Sequence, residues 1–143
     1  MSYNILLYGA TGYSGRLIAA EGKAMGMSRQ NARGDCGMIL AARDGAPLRA
    51  VAEESGMEFR VFGLDGRDEV LRQLDGIDVV INAAGPFAFT AESLLKSALE
   101  KRCHYLDING EVDVYRMLDD FGFIAAQREV AIVSGAGNYA AAS

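Results

Sequence analysis

The sequence is poor in the residues from which metal centres and thiol chemistry are built. It has two cysteines, Cys36 and Cys103, far apart and without a partner at the spacing of zinc ligands. They read as free buried thiols, and no metal site is expected. His104 is the single histidine, which excludes a zinc site made of several imidazoles. No G-x-S-x-G elbow precedes a helix, so a hydrolase triad is not expected. Basic charge is also short: 14 Lys and Arg face 19 Asp and Glu, for a net charge of -5. A nucleic-acid surface would show the opposite balance. No apolar run approaches the roughly 18 to 20 residues that span a bilayer. The N-terminus lacks a basic segment leading into an apolar core, because a strand-like run begins at Tyr3. The expected location is cytoplasmic.

What is present describes one globular domain. Half of the 143 residues are hydrophobic and 23% are charged, enough apolar material for a proper core. The run Tyr3 to Tyr8, YNILLY, reads as a buried strand. The glycine cluster Gly9 to Gly15 follows and opens into a helix, in which Leu17, Ile18 and Met25 recur at roughly helical spacing. Residues 26–37 are polar and read as a loop. GMILAARD gives a second strand ending near Ala42, and Pro47 suits the first turn of a helix running to about Ser55. MEFRVFG reads as a third strand, Asp65 to Asp68 as a helix start, and the run from Ile77 as a fourth strand. TAESLLKSALEKR predicts a helix with Leu94, Leu95, Ala98 and Leu99 on one face. Cys103 to Ile108 predict a fifth strand, a helix or helix pair follows from about Val112 to Arg128, and VAIV is a sixth strand. Such alternation implies right-handed parallel crossovers. The expected fold class is α/β, a doubly wound parallel sheet of about six strands in the order 3-2-1-4-5-6, the Rossmann arrangement.

Gly9, Gly12 and Gly15 form G-x-x-G-x-x-G between the first strand and its helix. Gly9 suits a sharp turn, Gly12 lets a pyrophosphate approach the backbone, and Gly15 lets the helix pack near the strand. The helix N-terminus offers N–H groups and partial positive charge to phosphates, and Thr11 and Ser14 can add hydroxyls. At the end of the second strand, Arg43 can pair with the 2′-phosphate of NADP. Asp44 beside it could instead take the ribose of NAD, so NADP is expected with NAD as the alternative. Asp65, past the third strand, could accept from an adenine amino group or cap a helix. Asn82 to Phe87 end the fourth strand with small residues that allow a cofactor to lie against backbone. His104 and Tyr105 face opposite sides of the fifth strand. Asp107, at its end, and Glu111 are the candidates for facing a substrate, and no catalytic residue is assigned.

The segments YGATGYSGRLIA, LAARD, INAAGPF and CHYLDINGE, in that order, resemble the N-terminal NAD(P)-binding domain of the saccharopine dehydrogenase-like family, which includes saccharopine reductases and trans-acting enoyl reductases. The resemblance runs from Tyr3 to about Gly137. It implies that Gly9 to Gly15 bind pyrophosphate, that Arg43 reads the adenosine phosphate and that Ala83 to Phe87 line the cofactor. The cofactor-binding set is therefore Gly9, Ala10, Thr11, Gly12, Tyr13, Ser14, Gly15, Arg43, Asp65, Ala83, Ala84 and Gly85. It also implies a following domain that carries the substrate site and often the contacts of a homodimer. Two departures are a longer loop before the second strand and the ending SGAGNYAAAS, which loses the family's continuation after about Gly137. The expectation is that residues 1–143 are a cofactor module cut from a longer NADP-dependent oxidoreductase, with little turnover alone. Short-chain reductases share the glycine spacing but need a lysine four residues after a tyrosine, and no tyrosine here has one. The alternatives are an atypical relative of that group or a dinucleotide sensor without catalysis.

Overall fold

The computed structural model describes residues 3–28 and 36–137. Its sheet has six strands in the order β3-β2-β1-β4-β5-β6. These are β1 (Tyr3–Tyr8), β2 (Cys36–Ala42), β3 (Glu58–Val61), β4 (Val79–Asn82), β5 (His104–Asp107) and β6 (Ile132–Val133). Every pairing is parallel, and Leu7 of β1 lies between Leu40 of β2 and Ile81 of β4. The strand order reverses direction at β1, which places the expected ligand crevice beyond the carboxyl ends of β1 and β4. The doubly wound fold read from the alternation of elements is the fold observed.

Period-two alternation along β1 divides the core. Leu6 and Tyr8 join a cluster with Val70, Leu94, Leu95, Val114 and Ala125. Leu7 joins the opposite one with Ala19, Leu48, Val51 and Ala52. The first cluster is covered by α3 (Arg67–Gln73), α4 (Phe87–Lys101), α5 (Val112–Asp119) and α6 (Gly122–Gln127), and the second by α1 (Tyr13–Ala24) and α2 (Gly45–Ser55). Each fully buried leucine contributes about 1.5–3 kcal/mol. Leu6, Leu7, Leu40, Leu48, Leu94 and Leu95 are all at 0% exposure, so they carry much of the core.

Three details differ from the sequence expectation. The buried face of α1 is Gly15, Ala19 and Gly22, whereas Leu17 is 56% and Met25 65% exposed. Small residues face inward because α1 lies close to the sheet: a Cβ at Gly22 would sit 3.0 Å from the Met38 sulfur. Helix α4 begins at Phe87 rather than at Thr90, with Pro86 as its N-cap. Proline's fixed φ is compatible with that place, and the Glu111 carboxylate accepts the Phe87 N–H at 2.9 Å. Strand β4 starts at Val79, two residues later than expected, because the Ile77 N–H turns back to the Leu74 carbonyl. Of the predicted loop 26–37, residues 29–35 lie outside the described residues, as does the NYAAAS ending.

Candidate functional site

The carboxyl ends of β1, β2 and β4 border a groove of about 500 Å³, within the range of small-ligand sites. Tyr8, Gly9, Thr11 and Gly12 line it from the β1 side, Ala42, Arg43 and Asp44 from β2, and Leu64 and Asp65 from the segment after β3. The far wall is Ala83, Ala84, Gly85 and Pro86, continued by Phe89 and Thr90 in the first turn of α4. The glycine loop, Arg43, Asp65 and the Ala83–Gly85 segment are separated by tens of residues in sequence and meet here.

The three glycines of the loop do different work. Gly9 turns the chain at φ +89°, and a Cβ on it would lie 2.6 Å from the Ala84 nitrogen. A side chain at Gly15 would overlap the Gly9 carbonyl oxygen. Both are required by the protein's own packing. Gly12 is not: its φ is -76°, open to any residue, and a Cβ there would meet only the Gly9 oxygen at an ordinary 3.6 Å. Gly12 lines the groove, and packing does not account for its lack of a side chain. Gly12 also caps α1 without a side-chain hydrogen bond, leaving the helix start for an anion.

Other predicted residues of the loop lie elsewhere. Ala10 is fully buried in the core and Gly15 is buried on the inward face of α1, so both shape the loop without bordering the groove. Tyr13 is 84% exposed at the first turn of α1, and Ser14 beside it is half-buried. Neither is among the groove-lining residues.

On the β2 side the Arg43 side chain is 80% exposed, with its Nε 4.0 Å from an Asp44 oxygen. So exposed a pair is weak, and the guanidinium is available to a stronger anion. Asp65 is exposed on the groove; the N-cap of α3 is Gly66, so the capping role open to Asp65 is not the one it plays. The Tyr8 hydroxyl donates to the Phe62 carbonyl at 3.1 Å. Burial raises its pKa, Arg43 opposes that rise, and Asp65 and Asp44 add to it.

The residues expected to face a substrate are placed differently. Asp107 is fully buried, accepting from Tyr105 Oη at 2.9 Å and from Ser134 Oγ and the Gly135 N–H at 2.8 and 3.0 Å. It is a structural acceptor within the fold and does not border the groove, because the segment after β6 closes over the end of β5. Glu111 is half-buried and engaged at the start of α4. His104 sits at the amino end of β5, away from the groove, and its Nδ1 accepts the Ala131 N–H at 3.0 Å. Tyr8, Leu64, Phe89 and Thr90 were not anticipated. A helix start at Pro86 would have exposed the last two, since it brings the first turn of α4 onto the groove. Among the described residues, no cluster of His, Cys, Asp and Glu could hold a metal ion.

Comparison with known proteins agrees with this geometry. A family model described as the saccharopine dehydrogenase NADP binding domain matches residues 5–131. A lipid droplet localized protein of Caenorhabditis elegans is 26% identical over 147 aligned residues, which cover 94% of this chain and 33% of that protein. Apo saccharopine dehydrogenase (L-Glu forming) of Saccharomyces cerevisiae superposes with a TM-score of 0.77 at 19% identity, covering 95% of this chain and 27% of that one. The binary complex of leucoanthocyanidin reductase with NADPH from Vitis vinifera superposes at 0.67 and 14% identity, covering 92% and 48%. The chain thus spans about a third of the curated relative's length and about a quarter of the yeast enzyme's.

Proposed function

The chain belongs to the saccharopine dehydrogenase NADP binding domain family, and from that premise we propose that its carboxyl-edge groove holds NADP(H), with the residues in distinct roles. The observation that carries this reading is that Thr11 and Gly12, at an uncapped helix start, and the exposed Arg43 stand on one groove. The loop from Gly9 to Gly12 and the first N–H groups of α1 would hold the pyrophosphate. The Arg43 guanidinium would take the 2′-phosphate through its planar fork, and Asp65 would accept from the adenine amino group. Ala83, Ala84 and Gly85 would flank the nicotinamide end, where their small side chains keep the wall low.

Bound cofactor supplies or takes up a hydride, and the protein's part is to bind and orient it. Among the described residues, nothing on the groove encloses a substrate beside the nicotinamide end. The substrate site and the contacts of a homodimer are assigned to a further domain of the intact enzyme. That assignment accords with the chain's spanning a third of its curated relative. Alone, the 143 residues should bind cofactor and turn over little substrate.

Titration calorimetry tests the assignment of Arg43. NADPH should bind at least about tenfold more tightly than NADH, the effect of a charge-assisted hydrogen bond of about 1.5–3 kcal/mol. In Arg43→Ala the gap should close through loss of NADPH affinity, with NADH unchanged. Equal affinities in the unsubstituted protein would overturn the assignment.

A further inference from the structure

Behind the Ala83–Pro86 wall, polar side chains form a connected chain that the cofactor contacts do not use. Thr90 borders the groove, and its hydroxyl donates to the Ala84 carbonyl at 2.7 Å. Thr90 Oγ1 accepts from Asn82 Nδ2 at 3.0 Å, and that amide also donates to the Tyr105 hydroxyl at 3.2 Å. Tyr105 in turn donates to Asp107 Oδ2 at 2.9 Å. On its other oxygen Asp107 receives the Asn109 and Gly135 N–H groups and the Ser134 hydroxyl. Asn82, Tyr105, Asp107 and Asn109 are each no more than 1% exposed. Among the described residues, no buried side-chain nitrogen or oxygen lacks a partner.

The direction of the hydrogen bonds along this chain is what matters. A carboxylate only accepts, so Tyr105 donates its one proton to Asp107. Its oxygen is then left to accept, and only the NH₂ side of Asn82 can supply that bond. The Asn82 carbonyl is thereby turned toward the wall, where it receives the Ala84 N–H at 3.0 Å. Ala84 is consequently held at both its N–H and its carbonyl, by Asn82 and Thr90. Remove the Tyr105 hydroxyl and one Asn82 N–H has no acceptor in a buried site, which weakens the hold on this amide and leaves it to the Ala84 N–H and the Thr90 hydroxyl alone.

We propose that Tyr105 is a positioning residue: relaying the polarity of Asp107 to Asn82, it holds Ala84 and the nicotinamide-side wall in the shape that receives NADP(H). This inference rests on the assignment of the groove to NADP(H). It makes the wall's shape depend on a residue that never touches the groove, and it leaves the Arg43 side independent.

Two probes separate the halves: NADPH, which would use the whole groove, and adenosine 2′,5′-bisphosphate, which carries the groups assigned to Arg43, Asp65 and the glycine loop but no nicotinamide half to meet the Ala83–Gly85 wall. In Tyr105→Phe the dissociation constant for NADPH should rise about 5- to 30-fold, the equivalent of one or two kcal/mol, with that for the bisphosphate unchanged. Thr90→Val, which breaks the chain at its groove end, should give the same selective loss and serves if Tyr105→Phe fails to fold. Equal weakening of both probes, or no change in either, would overturn the positioning role. Failure of the unsubstituted protein to bind either probe would overturn the groove assignment and this proposal with it.

Discussion

Gly12 and Gly15 differ by three positions and by the reason each is glycine. Gly15 has no room for a side chain, since a Cβ would overlap the Gly9 carbonyl. Gly12 has both room and an ordinary backbone conformation. Gly15→Ala should therefore cost about 1–3 kcal/mol in urea unfolding, the range for forcing atoms into a packed site. Gly12→Ala should stay within about 0.5 kcal/mol of the unsubstituted protein. Its effect should fall on NADPH affinity, dropping at least about tenfold by calorimetry, the equivalent of about 1.4 kcal/mol. Equal destabilisation by both would mean that Gly12 serves the fold. The motif spacing identifies all three glycines, but only their surroundings separate Gly9 and Gly15, which packing requires, from Gly12, which it does not.

At the scale of elements, what the helices bury differs from one to the next. Helix α4 presents Leu94, Leu95, Ala98 and Leu99 to the core, as its periodicity predicts. Leu94→Ala should cost about 2–5 kcal/mol. Helix α1 instead turns Gly15, Ala19 and Gly22 inward, so Leu17→Ala should stay within about 0.5 kcal/mol by the same measurement. A large loss from Leu17→Ala would contradict the observed face of α1. The difference was not legible in sequence, because apolar spacing marks a face without telling which face is close to the sheet. Close approach selects small residues, and these carry almost no hydropathy signal. The start of α4 was missed for a related reason. Its cap comes from Pro86 and from the carboxylate of Glu111, which lies 24 residues from Phe87.

At the scale of the whole molecule, three buried acids among the described residues, a thiol and two phenols, hold their protons against the solvent. Burial pushes the Cys103 thiol up to about 11 from an ordinary 9.0. It raises the phenols of Tyr105 and Tyr8 above their ordinary 10.0 as well, with Asp107 adding to the rise at Tyr105. In the unfolded chain these groups release protons near their ordinary values, whereas the folded protein retains them. Between those values the unfolded state binds fewer protons, so stability falls as pH rises. The urea midpoint should hold near neutrality and decline as pH climbs above about 9, and Cys103→Ala should flatten the first part of that decline. An unchanged midpoint up to pH 10.5 would contradict the burial of these groups. Among the described residues no helix is long and apolar enough to cross a membrane.

The order and alternation of the elements, the glycine loop, Arg43 and the small-residue segment after β4 were all determined by the sequence alone. Each is a local pattern, a period of apolar residues or a residue type set by strand and turn chemistry, and these patterns together specify the doubly wound sheet. The tertiary structure decided what depends on distant parts meeting. It brought Gly12, Arg43, Asp65 and Ala84 to one groove and added Phe89 and Thr90. It also withdrew Asp107 from the surface into a buried hydrogen-bond chain. A strand-end aspartate looks the same in sequence whether solvent or the next strand's backbone lies over it. In this fold the covering segment is Ser134 and Gly135, and only the pairing of β6 with β5 places them there.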